Sequence, residues 1–381
     1  MGSIMGEGRV VIPDVRVAEF KMKFSRRGFL ASGTPLLAVP TLGVFQSKAW
    51  ASGPRVEDKD KAEVQLEITR ESMDSVRRGL EWLKRTEGRK GGHGTDVNQP
   101  DDIGCSAMVG LALLANGSTP SQGPDKRHLK RITNYLIGCV DAMPNGNITG
   151  KKGTQLQNKI GLQAHTFFAL LFLSQVCGEV GIHKKTGQAV GKLVKTVVGA
   201  QSKRGDWGQE SWAPTLGTVM GWTSLRSSHF AGFRVGGSPE KTAEYLIGQM
   251  KNLGKQQHWM HSLYKNATGI RVLYAMGKEE EDVAKKAFKD VLKLVTRDNT
   301  AFNQAGGEEF LAFHLITETM LQKEGEDWAT WFPKVRDKML DVQNKDGCWT
   351  GHHCITSRTF CTAAACLVLS APNRYLPISQ K

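Results

Sequence analysis

A repeated pair of helical segments is the feature that most constrains the fold of this chain. Six times, at intervals of roughly 45–60 residues, a segment with charges at helical spacing is followed by a turn and a segment of small and apolar residues. The first segment of each pair predicts a helix with one face in water, and the second predicts a buried helix. The sequence therefore predicts an all-α fold, a single α6/α6 toroid of six helical hairpins with the apolar helices inside. An open α-solenoid is the alternative architecture.

Two turns between paired segments share one motif. Residues 201–207 read QSKRGDW and residues 343–349 read QNKDGCW, so both fit Q-x-x-x-G-x-W. This motif resembles the QW repeat of squalene and oxidosqualene cyclases and of the related protein prenyltransferase β subunits. The chain is also similar to squalene-cyclase-like exported proteins predicted in planctomycete-like bacteria. The resemblance implies a toroid with QW-type turns, in which the glutamine caps helix ends and the tryptophan packs between neighbouring hairpins.

The N-terminal region has the pattern of an export signal. Residues 25–30 read SRRGFL, an apolar run interrupted by two prolines follows, and residues 49–51 form an A-x-A cleavage pattern. We therefore interpret residues 1–51 as a twin-arginine signal region, with Met22 as the more natural start of translation. Residues 52–70 are then a linker, residues 71–381 form the repeat domain, and the mature protein is expected in the periplasm.

The charge of the chain restricts its partners. The formal net charge is +14, but acidic residues alternate with the basic ones along the repeat domain. No basic stripe is interleaved with aromatic residues, so the sequence argues against a nucleic-acid partner. Peripheral contact with anionic lipid head groups remains compatible with this charge, and an apolar small molecule or lipid is the expected ligand.

In a toroid, the N-termini of the inner helices meet at one rim, where their free N–H groups point towards the same mouth. Polar residues that precede or begin the apolar segments should therefore collect there. The rim prediction comprises His93, Asp96, Asp101, Asp102, Asp206, Trp207, Glu210, Trp212, Glu308, Glu309, Asp346, Cys348, His352, His353, Cys354 and Arg358.

Candidate catalytic residues follow from what the resemblance implies. Class II cyclases protonate an alkene with an acidic D-x-D-D segment, and the repeat domain contains none. The nearest acidic cluster is Asp101 with Asp102, close to His93, and these three are the catalytic candidates. The two aspartates also read as an N-cap pair of the following helix.

Candidate substrate-binding residues are aromatic and polar side chains of the turns and the apolar segments. They are Trp207, Trp212, His165, Phe168, Trp222, His314 and Arg358. Each is also compatible with a packing role, and the two histidines equally read as satisfied core residues.

The stretch GCWTGHHCITSRTFC, residues 347–361, combines two histidines with three of the seven cysteines. It predicts a transition-metal site, most simply zinc, with ligands drawn from His352, His353, Cys354, Cys361, Asp346 and Cys348. The resemblance to prenyltransferases supports zinc, because residues 346–348 reproduce their D-x-C pair and Cys361 falls where that family has a zinc-binding histidine. A Cys354–Cys361 or Cys348–Cys354 disulfide, or buried cap residues without any ligand, are the alternatives.

The sequence thus leads to two functional hypotheses. In the first, the protein binds or transforms an isoprenoid-like or other apolar substrate in a central cavity, with zinc assisting chemistry at the rim. In the second, it is a non-catalytic periplasmic scaffold or binding protein that uses the rim or the outer face. The missing D-x-D-D acid and the altered arrangement of the zinc ligands leave open whether it is an enzyme.

Overall fold

A computed structural model describes residues 67–150, 153–179, 181, 183–207, 210–251, 259–296 and 300–379. The predicted signal region, the predicted start at Met22 and most of the predicted linker lie outside the described residues. Fourteen α-helices and one pair of two-residue strands make up the regular structure of the described part. The predicted all-α class is confirmed. None of the helices in these ranges combines the length and the hydropathy needed to cross a bilayer.

The helices and strands are, in chain order, α1 (Arg70–Lys84), β1 (His93–Gly94), β2 (Asp101–Asp102), α2 (Ile103–Ala115), α3 (Lys126–Asp141), α4 (Gln155–Ile160), α5 (Ala164–Gln175), α6 (His183–Ala200), α7 (Pro214–Phe230), α8 (Ser238–Lys251), α9 (Trp259–Ala275), α10 (Asp282–Thr296), α11 (Thr300–Asn303), α12 (Gly307–Lys323), α13 (Gly325–Asp341) and α14 (Arg358–Ser370). Strands β1 and β2 pair antiparallel. Two short 3₁₀ helices follow, Ala371–Asn373 and Pro377–Ser379.

The two helices of a hairpin differ in burial, as their sequences predict. On α1, Val76 and Leu80 are buried while Arg77 between them is exposed, which leaves one face in water. On α2, every residue from Gly104 to Ala115 is buried. Helix α2 begins at an N-cap, because the side chain of Asp102 accepts a hydrogen bond from Cys105 N at 2.7 Å.

The apolar helices pack on one another in sequence order. Helix α2 packs on α5, α5 on α7, α7 on α9, α9 on α12 and α12 on α14, and α14 packs back on α2. Each amphipathic helix lies against the apolar helices of its own or the adjoining hairpin; α1, for example, packs mainly on α14. The packing therefore runs through all six hairpins and returns to the first.

The two motif glutamines make the same type of bridge. Gln201 Nε2 donates to Gly205 O of its own turn at 3.1 Å and to Ser238 O of the next amphipathic helix at 3.0 Å. Gln343 Nε2 donates to Gly347 O at 2.8 Å and to Ser75 O of α1 at 2.9 Å. The second glutamine therefore joins the last hairpin to the first.

The two motif tryptophans are buried and hydrogen-bonded to the helix before their turn. Trp207 Nε1 donates to Val197 O at 2.8 Å, and Trp349 Nε1 donates to Met339 O at 2.9 Å. Trp349 also packs on Gly79 of α1, where a Cβ atom would come within 2.9 Å of the indole ring. The close approach of α1 to this turn therefore requires glycine at position 79.

Side chains fill the space among the apolar helices near the C-terminal segment. That space has a volume of about 10 Å³, which is about the room that one water molecule requires. It is lined by Met108, Leu111, Leu171, Met220, Thr223, Leu311, His314, Leu315, Glu318, Leu376 and Ile378. An isoprenoid chain does not fit there in this arrangement of the helices.

Candidate functional site

The densest group of chemically active side chains lies at the N-terminus of α12. We call it the rim cluster, and its members are Lys159, Tyr264, Glu308, Glu309, His353 and Cys354. Four elements contribute to it: α4, α9, the first turn of α12 and the loop between α13 and α14. Residues far apart in the sequence thus meet at one place, and four of the six belong to the predicted rim set.

Glu308 is fully buried at the centre of the rim cluster. Its Oε1 atom lies 3.0 Å from Lys159 Nζ and 3.2 Å from His353 Nδ1. Its Oε2 atom accepts a hydrogen bond from Ile355 N at 3.1 Å. Oε1 is thus held by Lys159 and His353 and not by a backbone N–H. A metal ion could take the place of the ammonium group at this oxygen.

His353 lies between two carboxylates. Its Nδ1 atom faces Glu308, and its Nε2 atom lies 3.3 Å from Glu309 Oε2. Glu309 is itself held in place, because it accepts hydrogen bonds from Gly306 N at 2.7 Å and from the hydroxyl of Tyr264. In the tautomer with the proton on Nε2, the imidazole donates to Glu309 and presents the Nδ1 lone pair to Glu308.

The charges of the rim cluster shift its pKa values. Burial, together with the neighbouring charge of Glu308, raises the pKa of Glu309 to about 7. For Lys159, burial opposes the charged form, but the charge of Glu308 and its hydrogen bond outweigh burial and the pKa is raised. Burial and the charge of Glu308 likewise raise the pKa of the Cys354 thiol. Without a metal ion bound to it, Cys354 is therefore a thiol at neutral pH.

Cys354 has a backbone conformation that is unfavourable for a non-glycine residue. Its φ angle is 45°, in the left-handed region, which costs about 1–3 kcal/mol. Glycine would adopt this conformation without the strain. The Cys354 sulfur lies 3.5 Å from Lys159 Nζ. Strain of this kind is concentrated at functional positions, which makes Cys354 a candidate ligand or reactive group.

Three members of the rim cluster fit a metal ion. One ligand atom each from Glu308, His353 and Cys354 lies within 4.8 Å of the other two. In a tetrahedral zinc site, bonds of about 2.0–2.3 Å place the ligand atoms about 3.3–3.8 Å apart. The Glu308–His353 pair, at 3.2 Å, lies just below this spacing, and the Cys354 sulfur lies within 4.8 Å of both ligand atoms. The mixed oxygen, nitrogen and sulfur donors suit zinc.

The other predicted metal ligands lie elsewhere. Asp346 and Cys348 surround Arg358, whose Nη2 lies 2.8 Å from Cys348 Sγ and which also pairs with Asp346 and, at 3.5 Å, with Asp96. The Arg358 guanidinium lies over the ring of Trp82, 4.9 Å from its centroid. The D-x-C pair therefore forms an ion-pair and packing site around Arg358, separate from the rim cluster.

The side chains of His352 and Cys361 do not belong to the rim cluster. The His352 side chain is exposed, and its backbone N–H donates to Ala305 O at 3.1 Å. Cys361 is fully buried, with its sulfur 3.8 Å from Ile355 O. All seven cysteines are free thiols, so neither of the disulfide alternatives involving Cys354 is formed.

The three predicted catalytic residues lie around β1, β2 and the start of α2. His93 is fully buried, its Nδ1 lies 2.9 Å from Thr86 Oγ1, and burial lowers its pKa to about 4. Asp102 caps α2 and lies 3.4 Å from His165 Nε2. Burial raises the pKa of the half-buried Asp101 carboxyl. The structure thus gives Asp102 a capping role and brings it together with a predicted substrate-binding histidine.

The predicted substrate-binding residues do not share one site. Trp207 and Phe168 are buried and make edge-to-face contacts with Phe167 and Phe360, respectively. Trp212, in contrast, is 65% exposed. Trp222 and His314 are buried, and His314 lines the small space near the C-terminal segment. His165 lies beside Asp102, and Arg358 lies beside Asp96 and Cys348.

Sequence reasoning missed Lys159 and Tyr264. Lys159 lies on the six-residue helix α4, which precedes the apolar helix α5 of its hairpin, and Tyr264 lies within α9. Neither position stands out by motif or spacing. Their roles follow only from the contacts with Glu308 and Glu309.

Neither a protein-family model nor a curated protein sequence matches this chain. The resemblance to cyclases and prenyltransferases therefore stays a prediction that depends on the repeat pattern and two turns. The chemistry of the rim cluster is the basis for a functional assignment.

Proposed function

We propose that the protein binds a zinc ion at the rim cluster, with Glu308, His353 and Cys354 as the protein ligands. The observation that carries the proposal is the position of His353, whose two ring nitrogens each face a carboxylate. A ligating histidine typically donates its other ring N–H to a carboxylate, which fixes the tautomer and makes the ligand more basic. Glu309, anchored by Gly306 and Tyr264, is suited to that outer role.

Three protein donors are one fewer than the four ligands that zinc usually takes. Structural zinc sites have four protein ligands, whereas catalytic sites have three and leave a position for water or substrate. Bound zinc would supply Lewis-acid chemistry at that position. The pKa of Glu309 is about 7 without a metal; the charge of bound zinc would favour its ionised form, which accepts the N–H of His353. We therefore propose a reactive, polar centre rather than a purely structural clip.

The proposal includes the framework predicted from the sequence, an exported α6/α6 toroid with this centre at its rim. The return of the packing from α14 to α2 supports a closed ring over an open solenoid. The bridge from Gln343 to Ser75 of the first hairpin supports it further. An apolar ligand among the inner helices is not part of the proposal, because the space lined by Met108, Leu171 and Leu311 measures only about 10 Å³.

The direct test is zinc content. The repeat domain, expressed with its signal region and purified without chelator, should carry about one zinc ion per chain by mass spectrometry of the metal. Cys354→Ser should lower this content, because a hydroxyl is a poor zinc ligand compared with a thiolate. Cys177→Ser, at a half-buried cysteine outside the rim cluster, is the matched control. Wild-type protein that takes up no zinc from micromolar solution would refute the proposal.

A second prediction about the same centre concerns the replacement of Lys159. Its ammonium group lies 3.0 Å from Glu308 Oε1 and 3.5 Å from Cys354 Sγ, so it competes with any metal ion for these donors. In chelator, Lys159→Met should lower the free energy of unfolding by about 3 kcal/mol, because Glu308 becomes an uncompensated buried charge. In excess zinc, the variant should be stabilised more than wild type, because the competing charge is gone.

Thermal unfolding of both proteins, with chelator and with zinc, measures these two effects. Lys338→Met is the control, because this half-buried lysine of α13 lies over the ring of Phe302 and outside the rim cluster. Equal stabilisation of wild type and Lys159→Met by zinc would contradict competition by the ammonium group.

A further inference from the structure

The positive charge of the chain is concentrated in one part of its sequence. Residues 126–205 contain thirteen lysines and arginines but only two acidic residues, Asp141 and Glu179, whereas the formal net charge of the whole chain is +14. The alternation of basic and acidic residues along the repeat domain is therefore interrupted here. Two amphipathic helices, α3 and α6, contribute eight of the thirteen positive charges.

Helices α3 and α6 lie side by side and run in the same direction. They pack on one another, and they are joined at both ends. In the segments that precede them, Thr119 Oγ1 donates to Glu179 Oε2 at 3.2 Å. Towards their C-terminal ends, Lys192 Nζ of α6 pairs with Asp141 of α3 at 2.8 Å. The outer sides of the two helices therefore form one continuous surface.

The basic residues lie on this outer surface, because the apolar sides of both helices are buried. Arg131 pairs with Glu87, and Lys192 pairs with Asp141. The other six basic side chains are exposed and form no ion pair with a carboxylate of the described residues. We call these six the basic face: Lys126, Arg127, Lys130, Lys184, Lys185 and Lys195.

The charges of the basic face repel one another in the isolated protein. Lys126 and Lys130 are four positions apart on α3, a spacing at which like charges destabilise a helix. Helix α6 contains no acidic residue, whereas the amphipathic helix α13 contains four acidic residues and three basic ones. An anionic partner would therefore be attracted to this one side of the ring of hairpins and would relieve the repulsion.

Two apolar side chains are exposed at the C-terminal end of α3 and α6. Met143, just after α3, is 45% exposed, and Val198, near the end of α6, is 36% exposed. The segments that carry them are in contact, because Thr196 Oγ1 lies 3.5 Å from Asn145 O. Basic residues beside exposed apolar residues are typical of a protein surface that lies on a membrane.

We propose that the basic face binds the surface of a phospholipid bilayer that contains anionic lipids. Five of its six residues are lysines, whose compact charge needs no fixed partner geometry and therefore suits a fluid layer of head groups. Met143 and Val198 would enter that layer. A nucleic acid is disfavoured, because α3 and α6 expose no phenylalanine, tyrosine or tryptophan on which bases could stack. The proposal does not depend on the zinc site.

The test is co-sedimentation of the full chain with vesicles of phosphatidylcholine, either pure or containing about one third phosphatidylglycerol. At low ionic strength, where screening is weakest, wild-type protein should bind the mixed vesicles at least tenfold more tightly. Replacing Lys184 and Lys185 together by glutamine should weaken this binding about tenfold or more, because each lysine near an anionic surface contributes about fivefold.

The matched control replaces Lys285 and Lys286 together by glutamine. These are also adjacent exposed lysines, on α10, so the change in net charge is the same, and the variant should bind like wild type. The predicted signal region is present in every variant, so any affinity of its own for lipid is common to all. An equal loss of binding in the two double variants would overturn the proposal, as would no loss in Lys184→Gln/Lys185→Gln.

A third variant and a second ligand separate a bilayer from a soluble polyanion. Met143→Gln should weaken binding to the mixed vesicles about threefold, because a polar side chain enters the head-group layer less readily. The same proteins are then titrated with a double-stranded DNA fragment. Binding to DNA that requires Lys184 and Lys185, without binding to the mixed vesicles, would assign the basic face to nucleic acid and contradict the proposal.

Discussion

Replacing His353 with alanine should lower the affinity for zinc about a hundredfold or more, whereas His352→Ala should leave it unchanged. Loss of an outer partner of a metal ligand costs about 10–100-fold in affinity, and loss of the ligand itself should exceed that. The two histidines are adjacent in sequence but differ in position. His353 lies between Glu308 and Glu309, and the His352 side chain is exposed.

Competition with a chromogenic zinc chelator measures both affinities under the same conditions. The pair is informative because both substitutions remove one imidazole from the same loop, so a general change in loop stability should affect them alike. Equal losses in His352→Ala and His353→Ala would mean that the loop, and not the Nδ1 atom of His353, determines zinc binding.

The second large effect concerns the turn that joins the last hairpin to the first. Trp349→Ala should lower the free energy of unfolding by about 3–5 kcal/mol, the usual cost of truncating a buried tryptophan. The indole is fully buried, donates to Met339 O on α13 and packs on Gly79 of α1. Its backbone N–H also donates to Thr362 Oγ1 of α14 at 2.9 Å.

Urea unfolding followed by circular dichroism measures this loss. Trp212→Ala is the comparison, because that side chain is 65% exposed and its truncation should cost less than about 0.5 kcal/mol. A Trp349→Ala variant as stable as Trp212→Ala would show that the turn contributes little to the packing of α1 against α14.

Much of the architecture was predictable because it depends on composition and period. The amphipathic α1 and the apolar α2 differ so clearly in polarity that their burial follows from the sequence. The two motif turns were also predictable. Their glutamines bridge to the next hairpin, and their tryptophans are buried and bond to the helix before the turn.

The rim cluster was predictable in part. Glu308 and Glu309 begin one apolar helix, and His353 and Cys354 precede another. A shared rim therefore predicts that these four residues lie near one another. The pairing of individual atoms was not predictable, because it depends on loop geometry such as the left-handed conformation of Cys354. The same holds for the D-x-C pair. The conformation of its turn directs Asp346 and Cys348 to Arg358, which the sequence pattern did not indicate.

The bond between Ser75 and Gln343 also constrains when the chain can finish folding during its synthesis. These residues are 268 positions apart, and at about 5–20 residues per second the second partner is made roughly 15–50 s after the first. Throughout that time the apolar side of α1, with Val76 and Leu80, lacks the partner helix that buries it. Exposed apolar surface of this kind is what chaperones bind. The apolar side of α1 is therefore buried only after the last hairpin has left the ribosome.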